Sequence, residues 1–264
     1  MAVLLAGCSS GDDNSVPSAS SAASPATSAP ESTSVESLGE PVDEQLRAEL
    51  VATLSDAFDE VRSGPVLIEF EMNEDGRESS ATIRVDHAAG LVDAVWIQPA
   101  GQGSEITTRN VVVDGRAFLK STDGAAAEQA LNFIEIGVQN AAELLDVVYT
   151  GYGRIGPSLD RLILLLEQLP FRVVVEGVAP DQRFTVSFDP ADVATFYAET
   201  GLERMGGHIP DAAMTLTFVL EAGNLVGLEA AGTHFHDGEA LEVAAAVSFE
   251  VIEPFELEPP PLDG

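Results

Sequence analysis

Apolar residues recur every three or four positions in one early stretch of the chain and at every second position in most of the rest. Between Asp43 and Arg62 the recurring residues are Leu46, Leu50, Leu54, Phe58 and Val61. This spacing places them on one face of an amphipathic helix, which Gly64-Pro65 then ends.

Strict alternation begins directly after that helix. Val66, Ile68, Phe70 and Met72 alternate with Leu67, Glu69 and Glu71, which predicts a strand with one apolar and one mostly wet face. The same pattern predicts strands at 65–73, 78–87, 91–98, 104–113, 116–120, 171–178, 182–188, 212–221, 225–233 and 240–252. Three Asp-Gly pairs, at 75–76, 114–115 and 237–238, are typical of tight hairpin turns because they tolerate positive φ.

The middle of the chain changes to a helical period. Helices are predicted at 128–150, at 157–169 with Pro157 at its start, and at 190–200, ending at Gly201. About ten antiparallel strands with helices grouped in the middle predict an α+β domain. We expect a strongly curved sheet, a half-barrel, wrapped over the helices.

The predicted helix 157–169 is apolar around almost its whole circumference, so it must be covered on all sides. A curved sheet that covers it gives an ordinary core. Alternatively, part of the surface lines an apolar cavity for a ligand. The candidate cavity residues are Ile68, Phe70, Trp96, Leu162, Leu165, Leu166, Leu216 and Phe218.

The charge balance changes the picture of possible partners. Twelve Lys and Arg face 44 Asp and Glu, a formal net charge of −32. Such a surface repels phosphate backbones, so nucleic acid is excluded as an expected partner. The acidity is explained either by solubility or by a cationic partner or loosely held divalent ions, and the sequence leaves both open.

The single cysteine excludes an intrachain disulfide and lies at the end of an apolar start. Leu5-Ala6-Gly7-Cys8 resembles the bacterial lipobox, in which the Cys thiol is lipidated and the signal is cut before it. We therefore expect 1–7 to be the remnant of an export signal and Cys8 to carry the membrane anchor, outside the cytoplasm. Residues 8–42, rich in Ser, Ala, Thr and Pro, are expected to form a disordered tether, and 43–264 a single domain.

Candidate chemistry is sparse. Gly151-Tyr152-Gly153-Arg154-Ile155-Gly156 matches GxGxxG, with Glu176 where a ribose-binding acid belongs, but the preceding segment reads as helix. The chain has four histidines, His87, His208, His234 and His236. His234 and His236 share a strand face and could bind a metal with Asp237 or another nearby acid, but an exposed pair near a hairpin is favoured because no third ligand is marked by the sequence. No nucleophile motif occurs. We expect no catalysis, cofactor or metal.

The order of elements resembles the actinobacterial LppX/LprAFG lipoproteins, whose fold is similar to that of the LolA and LolB carriers. The parallels are the lipobox, the N-terminal helix, the run Val113-Asp114-Gly115-Arg116-Ala117-Phe118-Leu119-Lys120, the helical middle, the strand pair in 173–188, the short helix after Asp189-Pro190, the closing meander and Pro259-Pro260. The resemblance spans about 43–260. It implies a half-barrel enclosing an apolar cavity that carries lipids or lipoglycans, without catalysis.

The sequence therefore predicts a membrane-anchored, extracytoplasmic lipoprotein that binds or carries a lipid or other lipophilic molecule in an apolar cavity. A second hypothesis is a cavity-free envelope adaptor or sensor that binds protein partners through its acidic surface. A remote third is an exported dinucleotide-dependent enzyme that uses Gly151–Gly156.

Overall fold

The computed structural model describes residues 40–100, 104–123, 133–136, 138–151, 158–189, 191–193, 195, 214–236 and 239–262. All of them belong to the second of the two units into which the chain divides, Ser37–Gly264. Cys8, the six residues after Gly151, His208 and Asp237-Gly238 lie outside these ranges.

Twelve strands, all antiparallel to their neighbours, form one sheet in the described part of the chain. They are β1 (Glu40–Pro41), β2 (Pro65–Glu74), β3 (Arg77–Asp86), β4 (Leu91–Ala100), β5 (Ser104–Val113), β6 (Arg116–Asp123), β7 (Ile134–Glu135), β8 (Phe171–Val178), β9 (Asp181–Phe188), β10 (Met214–Glu221), β11 (Asn224–His236) and β12 (Glu239–Val251). Ten of them coincide with the ten predicted strands to within a few residues, so the α+β prediction is confirmed.

The order across the sheet is β1-β8-β9-β10-β11-β12-β2-β3-β4-β5-β6-β7. Pairing of β12 with β2 joins the end of the folded chain to its beginning. The two edge strands, β1 and β7, are not paired with each other in the described residues, so the sheet is open.

Two predicted hairpin turns are confirmed by their backbone angles. Asp75-Gly76 and Asp114-Gly115 both have positive φ at both residues, the geometry of a two-residue turn that suits twisted strands. Ala222-Gly223 adopts the same geometry without an Asp-Gly signal.

Helix α1 (Glu44–Arg62) begins where Asp43 accepts a hydrogen bond from the Leu46 amide, at 2.8 Å. Helix α3 (Leu159–Gln168) begins in the same way at Ser158. Arg47 joins the two helices, because its Nη1 donates to the carbonyls of Leu166 and Leu169 at the end of α3, at 2.9 and 2.7 Å. These carbonyls have no partner within the helix, so a cation there satisfies them.

The prediction of a helix over 128–150 is wrong at 133–136, the described residues of its N-terminal part. Helix α2 covers only Val138–Val147, followed by a 3₁₀ turn at Val148–Thr150. Ile134 and Glu135 form β7 instead, because the edge of β6 offers them backbone partners and Arg116 forms an ion pair with Glu135. Of the predicted helix 190–200, the described residues 191–193 and 195 are helical.

The described sheet includes the last residues of the predicted tether, 8–42. Glu40–Pro41 forms β1 against β8, and the Val42 amide donates to the Phe171 carbonyl at 3.1 Å. Three residues assigned to the tether are therefore fixed by the sheet.

One face of the sheet, which we call the inner face, packs against α1 and α3 and holds one continuous apolar cluster. The opposite, outer face carries no helix among the described residues. The segment after β12 crosses this outer face over β3, β5 and β6. Its Phe255 ring lies under the Arg84 guanidinium, and its Leu257 packs against the cluster that contains Val111 and Phe118. None of the described helices is long and apolar enough to span a membrane.

Candidate functional site

The candidate cavity residues all lie in the inner-face cluster. Each has at most 4% of its surface exposed: Ile68, Phe70, Trp96, Leu162, Leu165, Leu166, Leu216 and Phe218. The rings of Phe70 and Trp96 are 4.9 Å apart, and those of Phe58 and Phe218 are 6.1 Å apart. At these exposures the eight side chains belong to the buried cluster and offer little surface to water.

A depression bordered by described residues lies on the outer face. We call it the trough, and its volume is about 680 Å³. Its outward-pointing lining comprises Glu71, Asn73, Glu78, Ser80, Ile97, Glu105, Thr215, Thr217, Glu229, Ala231, Ala244 and Ala246.

Small residues on the two central strands make the trough. Ala246 on β12 is the direct partner of Glu71 on β2 and of Glu229 on β11. Ala244, two residues earlier, lies between Asn73 and Ala231. Because neighbouring strands are only about 4.8 Å apart, longer side chains on both flanks stand above this alanine floor as walls.

The walls of the trough are acidic. Glu71, Glu78 and Glu105 come from β2, β3 and β5 on one side, and Glu229 comes from β11 on the other. Glu229 also accepts a hydrogen bond from Arg183, at 2.6 Å. None of the described lining residues is Lys, Arg or His, so the trough is a region of negative potential.

A second depression of about 340 Å³ continues the trough along the strands. It shares Asn73, Thr215, Ala231 and Ala244 with the trough and adds Glu242 at its far end. The two together follow β11 and β12 lengthwise.

A second charged group lies on the outer face outside the trough lining. Asp93 accepts hydrogen bonds from Arg84 at 2.6 Å and from Arg109 Nε at 2.8 Å. Burial by itself would raise the pKa of Asp93, but the bonds from Arg109 and Arg84 outweigh it and hold the pKa below its ordinary value. The Arg84 guanidinium lies over the Phe255 ring, so the group ties the closing segment to the sheet.

The GxGxxG motif begins in a setting that does not match a dinucleotide site. The residues before Gly151 form α2 and a 3₁₀ turn, whereas that fold requires a strand there. Gly151 itself ends the turn in the left-handed conformation, with φ +62°. Glu176 is an exposed residue of β8.

Two of the four histidines are placed by the described backbone on β11. His234 pairs with Leu241 and His236 with Glu239 across the ladder to β12. His87 follows β3, with its ring 6.2 Å from that of Tyr149. No three His, Cys, Asp or Glu residues of the described part come close enough to hold a metal ion.

Comparisons with known proteins give only distant similarities. No protein-family model and no curated protein matches the chain. A crystal structure of an uncharacterized conserved protein from Thermus thermophilus is similar with a TM-score of 0.39 and 10% identity, over 78% of this chain and 90% of that one. MucB in complex with MucA(peri) is similar with a TM-score of 0.16 and 12% identity, over 77% of this chain and 94% of that one. The Pseudomonas aeruginosa MucA/MucB complex is similar with a TM-score of 0.17 and 11% identity, over 76% of this chain and 94% of that one. At these TM-scores none of them carries an argument about function.

Sequence reasoning missed the trough because it followed only the large apolar residues of each strand. The pattern that could have indicated the trough lies in the outward-facing positions of β12. There Glu242, Ala244, Ala246 and Ser248 alternate with the buried residues. A run of small residues on the wet face of a central strand predicts a depression there.

Proposed function

We propose that this protein is a lipid-anchored binding protein of the cell envelope, attached to the membrane through Cys8, and that its ligand binds in the trough. The observation that carries the proposal is the trough itself. Its volume of about 680 Å³ lies within the range of roughly 300–1,000 Å³ typical of ligand sites. Its outward lining combines an alanine floor with eight polar or charged side chains, which suits a polar or charged ligand.

The buried state of the inner face supports the choice of the trough. A carrier of the LppX/LprAFG type, with a half-barrel sheet, would hold a lipophilic molecule between sheet and helices. Here Ile68, Leu165 and Phe218, which lie between sheet and helices, are fully buried. A ligand that contacted them would have to displace atoms packed against them, which costs the free energy of burying those side chains.

A second candidate for the ligand that binds in the trough is a lipophilic molecule. Ile97, Ala244 and Ala246 supply apolar surface in its lining. The third candidate, an adaptor that binds an envelope protein, uses the same face and differs only in the size of the occupant. The proposal keeps the expected half-barrel curvature of the sheet and the resemblance to the LppX/LprAFG lipoproteins. It includes no catalytic step.

The anchor is tested by fractionation of cells that produce the full chain. We expect wild type, and the matched control Ser9→Ala, in the membrane fraction, and Cys8→Ser in the soluble extracytoplasmic fraction. Two acyl chains are enough for stable attachment, so their loss is decisive. Membrane attachment of Cys8→Ser would overturn the anchor.

The site is tested by native mass spectrometry of the full chain purified gently from its host. Ala246→Trp fills the trough, and Ala52→Trp adds the same bulk to the exposed side of α1. We expect a bound mass that is lost in the first variant and kept in the second. A bound mass unaffected by Ala246→Trp would place the ligand elsewhere.

A further inference from the structure

We infer that the occupant of the trough is an extended, basic segment of polypeptide, whose Lys or Arg side chains lie among Glu71, Glu78, Glu105 and Glu229. This inference rests on the proposed function and names the class of its ligand. It starts from the charge of the walls, since carboxylates stand on both sides of the floor.

Charge complementarity favours a cation. Of the four wall glutamates, only Glu229 takes part in a described ion pair, with Arg183, and the other three have no Lys or Arg partner among the described ion pairs. A ligand with several positive charges would neutralise them where the lining offers no base of its own. The net charge of −32 would also steer such a ligand towards the protein.

A divalent metal ion does not fit the same charges. A metal site needs several oxygen ligands within about 2.6 Å of one ion. The described residues contain no group of three such side chains close enough. The carboxylates are spread along the trough, which suits a ligand whose charges are spread as well.

The shape of the trough favours an extended chain. Its outward lining runs across the sheet from Thr215 on β10 to Glu105 on β5, and the second depression extends it along β11 and β12 to Glu242. Because neighbouring strands are about 4.8 Å apart, an extended peptide that lies across them passes all four wall glutamates. The aliphatic stems of Lys and Arg pack on apolar surface such as Ala244, while their charged ends reach the walls.

The test compares two variants with the same net charge. The trough variant carries Glu71→Gln, Glu78→Gln, Glu105→Gln and Glu229→Gln. The control variant carries Glu60→Gln, Glu167→Gln, Glu176→Gln and Glu221→Gln, all exposed and outside the trough lining. The probe is a fluorescent ten-residue peptide of alternating Lys and Ala, and its affinity for the full chain is measured by anisotropy at about 0.15 M salt.

We expect the trough variant to bind at least roughly tenfold more weakly than wild type, and the control variant to lose less than about twofold, because close charge pairs contribute far more than distant ones. Equal losses in both variants would mean that only the overall charge attracts the peptide, and would overturn the inference. So would undetectable binding to wild type.

A neutral lipophilic probe, N-phenyl-1-naphthylamine, separates failure of this inference from failure of the proposed function. If the basic peptide does not bind but the neutral probe does, and Ala246→Trp abolishes its binding, the trough is a site for another class of ligand. If neither probe depends on Ala246, both the inference and the proposed function fail.

Discussion

Gly151 lies directly against the ring of Phe70. A Cβ atom built on Gly151 would come within 2.3 Å of Phe70 Cδ2, closer than any real side chain approaches. Gly151 also has φ +62°, which a residue with a Cβ adopts at a cost. The first glycine of the GxGxxG match is thus explained by packing against the core.

Gly151→Ala should therefore destabilise the fold. We expect a loss of about 2–5 kcal/mol in urea unfolding, from left-handed strain of roughly 1–2 kcal/mol together with overpacking of 1–3 kcal/mol. Gly90→Ala is the matched control, since Gly90 has φ +68° but no atom within 4 Å of its added Cβ. Equal losses in the two variants would contradict the contact with Phe70.

Leu165→Ala separates core from cavity on the inner face. Leu165 is fully buried in the cluster between α3 and the sheet. We expect a loss of about 2–5 kcal/mol, as for a close-packed leucine. Ile134→Ala, at a side chain that is 58% exposed, should cost less than about 1 kcal/mol. A loss at Leu165 no larger than at Ile134 would indicate a loosely filled interior that can admit a ligand.

Asp93→Asn should remove a pH-dependent part of the stability. The pKa of Asp93 is lowered in the folded protein, so its contribution is fully present above the ordinary Asp value, near 3.9. It is lost as the pH falls through the lowered folded pKa. We therefore expect the stability difference between wild type and variant to be largest near pH 6–7 and to shrink below about pH 4, measured by urea unfolding.

The ion pair between Arg62 and the exposed carboxylate of Asp160 provides the control for that measurement. The Asp160 side chain is 70% exposed, so Asp160→Asn should cost less than about 1 kcal/mol. A stability difference at Asp93 that grows on acidification would contradict the assigned bonds from Arg84 and Arg109.

Tyr149→Phe should be neutral or stabilising. The Tyr149 hydroxyl is buried and has no hydrogen-bond partner among the described residues, and burial raises the pKa of Tyr149 far above its ordinary value. Removing an unpaired buried hydroxyl relieves a desolvation cost of about 1–3 kcal/mol, less any loss of packing. Thermal unfolding of the two proteins measures the difference. A clear destabilisation would mean that the hydroxyl has a partner outside the described residues.

Local periodicity was sufficient to predict ten of the twelve strands and the helix α1. The alternation in β2 and the three-and-four spacing in α1 follow from burial of one face, which acts on each segment by itself. The segment at Ile134–Glu135 was mispredicted because its state depends on the edge of β6, a partner that no local pattern encodes.

The candidate site required knowledge of strand order. Ala246 and Glu229 become neighbours of Glu71 only because β12 pairs with both β11 and β2, and that order brings residues far apart in sequence together. The apolar residues of α3 were recognised as surface that must be covered. Whether a core or a ligand covers them depends on packing, which composition does not determine.

The central claim is that the ligand binds on the outer face of the sheet and not between sheet and helices. It is tested most directly by methyl NMR of the full chain carrying Cys8→Ser, with ¹³C-labelled alanine and titration of the Lys-Ala peptide. We predict shifts at Ala231, Ala244 and Ala246, which are exposed in the trough, and none at the buried Ala81 and Ala94. Shifts at Ala81 and Ala94, with the trough alanines unchanged, would contradict the account.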